Sequence, residues 1–134
     1  MKKFLIVLIL SIIGFISIDA QTQWYRANTY AYKYINNYGH WTNWSDWISC
    51  SVNIKFDIDN DIIVIYSNKT QIYAIFDGGQ QYTDSDGGSQ IRFDVIDQDY
   101  DKGTVRLRIE RNGNSQIYID FANVSWVYNV RRIS

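Results

Sequence analysis

The sequence predicts an all-β fold of about seven or eight short antiparallel strands, arranged as a small meander barrel or a two-layer sandwich. After residue 50, apolar and polar residues alternate, as in strands with one buried face. Clusters of Gly, Asn and Asp interrupt the alternation at hairpin spacing, and no segment has helical periodicity beyond a turn or two. Successive hairpins favour a meander. We favour the barrel because closure removes exposed sheet edges.

The candidate strands follow one another along a single domain of residues 21–134. The first is the aromatic segment 24–34, with the sequence "WYRANTYAYKY". Alternating apolar residues then predict further strands at 50–58, 61–67, 70–77, 90–97, 103–111, 115–121 and 126–132. No internal repeat or linker divides the chain, and its length suits one hydrophobic core.

Residues 1–20 predict a secretory signal peptide. Two lysines precede an apolar run at 4–18, and Ala20 stands at the expected cleavage point. The run is shorter than the ~20 residues that cross a bilayer. We therefore expect cleavage after Ala20, a secreted or periplasmic protein, and no transmembrane segment in the mature chain. An uncleaved membrane anchor is the alternative, because Ile18 is not a small residue.

Charge and cysteine content exclude some classes of protein. Beyond residue 20 the chain has eleven basic and thirteen acidic residues, a balance that does not suggest nucleic acid as a partner. Cys50 is the only cysteine, so the chain has no internal disulfide. Because Cys50 shares the strand parity of Val52 and Ile54, we predict a buried, unreactive thiol.

Hairpin registers follow from which residues must share the buried face, because a one-residue slip inverts every side chain. The apolar residues of 103–111 and 115–121 face the same way if the loop between them is 112–114. Arg106 then lies on the solvated outer face, between Asp94 and Asp120. Cross-strand ion pairs of this kind contribute ~0.2–1 kcal/mol each, so we interpret Arg106 as structural.

The hairpin around Asn68 and Lys69 has apolar residues on both faces. A two-residue turn there pairs Ile65 with Ile72, and it places a second apolar set on the outer face: Ile62, Val64, Tyr66, Tyr73 and Ile75. Since a meander strand with one solvated face should alternate, we expect a cover. The aromatic segment 24–34 is the candidate cover. If the face is instead bare, it is the candidate binding surface for a partner.

Three tryptophans at a spacing of three form the stretch "WTNWSDWISCS". It resembles the tryptophan ladder of thrombospondin type 1 repeats, in which Trp41, Trp44 and Trp47 would stack with arginines. That family is held together by several disulfides, and this chain has no cysteine after Cys50.

The stretch "YGHW", which ends at Trp41, contains a Gly-x-Trp and so resembles lipocalin-like (calycin) barrels. The resemblance makes Arg131 or Arg132 available to pack on Trp41. In such barrels a short turn before the first long strand closes one end with aromatic residues. The resemblance implies a hydrophobic plug at a barrel end. Its candidate aromatic cluster is Trp41, Trp44, Trp47 and Tyr128. The alternative is an aromatic platform for sugar or peptide.

The order of segments that includes "IVIYS", "QIY" and "WVYNV" resembles uncharacterised small secreted β-rich proteins of gut Bacteroidetes and their phages. The resemblance covers most of residues 21–134. It implies secretion and a common scaffold, and no activity accompanies it.

Metal and catalytic signals are weak. Asp97, Asp99 and Asp101 copy the first half of an EF-hand loop, but Gly103 comes one place late and Arg108 occupies the position of the bidentate Glu. We favour ordinary turn chemistry there, with calcium as the open alternative. The only histidine, His40, and the only glutamate, Glu110, select neither a nucleophilic triad nor a glycosidase pair. The sequons at Asn43, Asn68 and Asn123 matter only in a host that glycosylates them.

These observations predict a secreted or envelope-associated binding or inhibitor module without cofactor or catalysis. The partner is an unknown protein or a small apolar ligand at the cell envelope. A small barrel that carries an apolar ligand is the alternative, followed by a glycan-binding or hydrolytic protein. An open pocket lined by Trp41, Trp44 and Tyr128 would favour the carrier. A filled interior with an apolar outer patch would favour the binding module.

Overall fold

A computed structural model describes residues 22–134 as an eight-stranded antiparallel barrel. Each strand pairs with the next, and β8 pairs with β1 to close the barrel, so the predicted meander barrel is confirmed. The predicted signal peptide lies outside the described residues. The strands are β1 (Thr22–Tyr34), β2 (Ile48–Asp57), β3 (Ile62–Tyr66), β4 (Gln71–Thr83), β5 (Ser89–Ile96), β6 (Lys102–Ile109), β7 (Ser115–Asp120) and β8 (Val124–Arg132).

Side chains fill the middle of the barrel. Alternate residues of every strand point inward, and the ring of Phe56 contacts those of Tyr25 and Phe93 at centroid distances of 5.6 and 5.8 Å. Isoleucine, valine and leucine side chains from the other strands complete the packing, among them Ile54, Ile63, Ile91, Leu107 and Ile119. Close packing of this kind leaves no channel through the centre for a long ligand.

The β6–β7 register keeps the predicted parity but differs by two residues. Leu107 pairs with Ile117, and both point into the core as predicted. Arg106 therefore faces Tyr118 instead of Asp120. The ion pair with Asp120 still forms, with 2.8 Å between Arg106 Nε and Asp120 Oδ2. The predicted outer position of Arg106 is thus correct, and the guanidinium also lies 4.3 Å from the ring centroid of Tyr118.

The predicted pairing of Asp94 with Arg106 is wrong. In the β5–β6 hairpin Asp94 lies opposite Thr104, and Arg92 lies opposite Arg106. The carboxylate of Asp94 contacts Arg92 instead, at 3.7 Å. The chain turns over residues 98–100, where the amide of Asp97 donates to the carbonyl of Asp101, and this turn shifts the partners by two residues without changing the buried face.

The β3–β4 register differs from the prediction by one residue. Ile65 pairs with Gln71 and Ile63 with Tyr73, because the connecting loop is wider than a two-residue turn. Ser67 stabilises this loop by donating its Oγ hydrogen to the carbonyl of Lys69. Because the shift is one residue, the side chains of β4 that were predicted to face the core face outward, and those predicted to face outward face the core. The predicted binding surface changes accordingly.

The two ends of the barrel differ. The β1–β2, β3–β4, β5–β6 and β7–β8 loops meet at one end, which we call the mouth. At the other end Arg108 is 2.9 Å from Asp84 and ties the β4–β5 loop to β6. Desolvation alone would raise the pKa of Asp84, but hydrogen bonds from Arg108, Gln90 and two backbone amides hold it below its ordinary value. No helix within residues 22–134 is long and apolar enough to span a membrane.

Candidate functional site

A seam in the barrel wall opens at the mouth. β2 has ten residues and β3 has five, and the two strands pair only over 53–57 of β2. Residues 48–52 therefore extend past the end of β3, with β1 on one side and no strand of the described chain on the other. A pocket of about 630 Å³ occupies the seam and the adjoining interior of the mouth.

Aromatic and neutral polar residues line this mouth pocket. Five lining residues are aromatic, namely Tyr30, Tyr32, Tyr66, Trp126 and Tyr128. Five are neutral and polar, namely Ser49, Ser51, Ser67, Asn68 and Gln71. Cys50, Val52 and Val124 complete the lining together with Lys69, its single charged residue. A pocket of this size and composition suits a small amphipathic group, since ligand pockets commonly span ~300–1,000 Å³.

Gln71 lies at the start of β4, where the β3–β4 loop ends. Its Oε1 accepts a hydrogen bond from the hydroxyl of Tyr73, and its Nε2 donates to Ser67 Oγ at 2.9 Å. A second cavity of about 370 Å³, which extends toward Asp97, shares Gln71 and Trp126 with the mouth pocket. These hydrogen bonds hold the β3–β4 loop against the barrel, so part of the pocket wall is preorganised.

Trp126 presents a flat surface at the mouth. Its ring lies nearly parallel to Phe121, at an interplanar angle of 14° and a centroid distance of 6.2 Å. Because Phe121 supports one side of the indole and Trp126 lines both cavities, we infer that the other side is turned to the ligand space. Burial raises the pKa of the neighbouring Tyr128, although hydrogen bonding to Gln71 and Trp126 opposes that effect. Tyr128 therefore stays protonated and available as a neutral hydrogen-bonding group.

Cys50 lies at the edge of the pocket. It packs against the core, as its parity predicted, but it is half-buried and the prediction of full burial is wrong. Its Sγ is 3.7 Å from the carbonyl oxygen of Ala27, and desolvation raises the pKa of the thiol. A thiol that stays protonated is a poor nucleophile.

The predicted tryptophan plug is wrong, because Trp41, Trp44 and Trp47 lie outside the barrel. The amide of Thr42 donates to the carbonyl of Tyr34, and this contact aligns the segment 41–47 with β1. All three tryptophans are exposed, at 44%, 41% and 51% respectively. The fourth member of the predicted cluster, Tyr128, is in the mouth, so the structure does not bring the cluster together.

A lysine holds two of these tryptophans. Lys33 Nζ lies 5.2 Å from the Trp41 ring centroid and 4.8 Å from that of Trp44. Trp44 in turn contacts Tyr118, on the outer face of β7, at 6.4 Å. The segment thus covers the outer wall of β1, β7 and β8 and explains why the outward-facing Val127 is buried. Cation–π contacts at exposed sites contribute about 0.5–1 kcal/mol.

The predicted apolar surface is divided by the β3–β4 register. Tyr73 and Ile75 are buried in the core, which corrects their assignment to a binding surface. Ile62, Val64 and Tyr66 lie on the outer face as predicted. Beside them on β4 are Ile72 and Ala74, which the predicted register placed inside, and Phe76. Tyr66, Ile72 and Phe76 are exposed, at 41%, 39% and 45%.

The prediction that the aromatic segment 24–34 covers this face is wrong. Residues 24–34 form part of the barrel wall as β1, and Tyr30 and Tyr32 point to the mouth. Only Trp24 reaches the apolar face, where it stacks on Tyr66 at 5.8 Å with Lys55 Nζ 5.6 Å from its ring.

The acidic loop at 97–101 adopts turn geometry. Asp97 Oδ1 accepts hydrogen bonds from the amides of Asp99 and Asp101, both at 2.9 Å. Within residues 22–134 no three His, Cys, Asp or Glu side chains are grouped to hold a metal ion. His40 is exposed in the turn after β1 and does not line the mouth pocket.

Comparisons with known proteins leave the family open. No family model, curated protein or solved structure matches the chain. The resemblance to small secreted proteins of gut Bacteroidetes and their phages therefore stays a prediction.

Most of the mouth was not predicted from the sequence. Gln71, Trp126 and the seam beside residues 48–52 were not singled out. The available signal was the difference in strand length, since the polar run at 67–70 ends the apolar segment of β3 early. β2 alternates over ten residues, twice the length of β3, so its first half has no partner on the β3 side.

Proposed function

We propose that this protein is a non-catalytic binding module whose ligand occupies the mouth pocket. The observation that carries the proposal is the pocket of about 630 Å³ above a filled core, with aromatic surfaces and neutral hydrogen-bonding groups in its wall. A secreted or envelope location, as residues 1–20 suggest, would give such a module access to ligands outside the cell.

The pocket favours a short amphipathic ligand over a long apolar one. Phe56, Phe93 and their neighbours fill the barrel below the pocket, so a fatty chain has no depth to enter. An apolar ligand that covers Asn68 would also leave its side-chain amide without a hydrogen-bond partner, and a buried polar group without a partner costs about 1–3 kcal/mol. A role as carrier of a purely apolar ligand is therefore less favoured than binding of an amphipathic one.

Saturation-transfer NMR with three probes tests the proposal: a pool of neutral disaccharides, a pool of capped hexapeptides, and palmitate. We expect one of the two polar pools to bind, and Tyr32→Ala to weaken binding by roughly three- to tenfold through loss of an aromatic contact. Tyr38→Ala is the matched control, because Tyr38 is 85% exposed and does not line the pocket. Equal effects of the two variants, or no binding by any probe, would reject the mouth as the site.

A protein partner on the outer face is a second candidate function. The exposed side chains of Tyr66, Ile72 and Phe76 favour it, and Lys102 Nζ lies 5.7 Å from the ring of Phe76. Ile72→Asp with Phe76→Asp should abolish capture of a partner without unfolding the protein. Ile75, on the same strand, is in the core and takes no part in this face.

A further inference from the structure

We propose that the ligand of the mouth is an extended peptide that pairs through its main chain with residues 48–52 of β2 and fills the seam left by the short β3. This inference rests on the proposed function and names the occupant of the same pocket.

The open edge of β2 provides the main-chain hydrogen-bonding groups. Ile48 pairs with Tyr30 and Val52 with Ala27 on the β1 side, whereas on the opposite side β3 reaches no further than Asn53. In an antiparallel sheet, successive residues direct their N–H and C=O groups alternately to the two neighbouring strands. The pairing with β1 shifts by one residue between Ala27 and Thr29, opposite residues 50–51. On either side of this irregularity, every second residue of 48–52 directs these groups into the seam. An exposed strand edge is the arrangement to which extended peptides add as an extra strand.

The pocket behind the edge would accept the side chains of such a peptide. Successive side chains of a strand point to opposite faces, so alternate residues would enter the mouth while the others face solvent. The inward set would meet Tyr30, Trp126 and Tyr128, which give apolar contact area, and the opposite edge of the peptide would face Ser67 and Asn68. Lys69 is the only charge in the lining, so we expect the inward residues to be uncharged or acidic.

A peptide matches this site better than a sugar does. The seam presents a row of donors and acceptors with the repeat of a β-strand, and a peptide backbone has the same repeat. A sugar can bond an individual group such as the side-chain amide of Asn68 but does not reproduce that row. Pairing along the row closes the seam and completes the hydrogen bonding of β2.

N-methylation of a bound peptide tests this inference. A randomised hexapeptide library, capped at both ends, is screened against the full chain, and the strongest binder is then N-methylated at one amide at a time. We expect methylation of alternate residues to weaken binding by roughly three- to tenfold for each lost main-chain hydrogen bond, and methylation of the residues between them to have little effect. Amide exchange measured by NMR should slow at alternate residues of 48–52 when the peptide binds.

Four results would overturn the inference. A flat N-methylation profile would show that side chains alone hold the peptide. Unchanged exchange across 48–52 would show that the peptide lies elsewhere. Binding of the disaccharide pool or of palmitate in the mouth, without any peptide binder, would leave the proposed function intact and reject the peptide as its ligand. If no probe perturbs any residue of the mouth, the proposed function fails together with this inference.

Discussion

Removal of the Tyr25 hydroxyl should stabilise the protein. Tyr25 is 1% exposed inside the barrel, and its hydroxyl has no hydrogen-bond partner in the described chain. Burial also raises the pKa of this phenol, so the group is held neutral in an apolar environment. An unsatisfied buried polar group costs about 1–3 kcal/mol, and Tyr25→Phe removes that cost while keeping the ring contact with Phe56. We expect a gain of about 1 kcal/mol.

Tyr73→Phe is the matched control, because its hydroxyl donates to Gln71. Loss of this hydrogen bond should destabilise the protein by about 1 kcal/mol. Urea denaturation gives both free energies of unfolding, and thermal unfolding should show shifts of opposite sign, each about 4 °C for a domain of this size. If Tyr25→Phe costs 1 kcal/mol or more, the hydroxyl has a partner such as an internal water molecule, and the reasoning is wrong.

Three further predictions concern charge and the thiol. Arg106→Ala should cost under ~1 kcal/mol in urea denaturation, because its pair with Asp120 is partly exposed and screened by water; a cost above ~2 kcal/mol would contradict this. The lowered pKa of Asp84 means that its contribution to stability is present above the unfolded pKa of about 3.9 and is lost as the pH falls through the lower folded pKa. Asp84→Asn should therefore be less stable than the parent at pH 7, and the difference should shrink on acidification; a difference independent of pH would refute the assignment. Cys50 should react with a thiol reagent more slowly in the native protein than in denaturant, because burial raises its pKa, and equal rates would show the thiol to be free.

The fold was predictable because each hairpin is local in sequence. Alternation identified the buried face of β6 and β7 correctly even where the exact partners were two residues away, since a shift of two preserves parity. The β3–β4 register was not predictable in the same way. The segments "IIVIY" and "QIYAIF" are apolar on both faces, so alternation does not select a face. The loop decides the register there, and its hydrogen bonds through Ser67 depend on the folded geometry.

The candidate site was less predictable than the fold. Tyr128 was singled out and does line the mouth, but the partners assigned to it were the tryptophans at 41, 44 and 47, which lie outside. The resemblance of "YGHW" to lipocalin-like barrels implied that they close a barrel end. In the structure Lys33 and Tyr118 hold Trp44 on the outer wall, and nothing in the local sequence reports these contacts between distant residues.

The most direct test of the central claim is a map of backbone amide shifts in the ¹⁵N-labelled protein, recorded as each probe pool is added. If the mouth is the binding site, shifts should be confined to the segments that line the pocket: the stretch of β1 around Tyr30 and Tyr32, residues 48–52, the β3–β4 loop and the first half of β8. Shifts centred instead on the outer residues Ile72 and Phe76, with the mouth unchanged, would contradict the account and assign binding to the outer face.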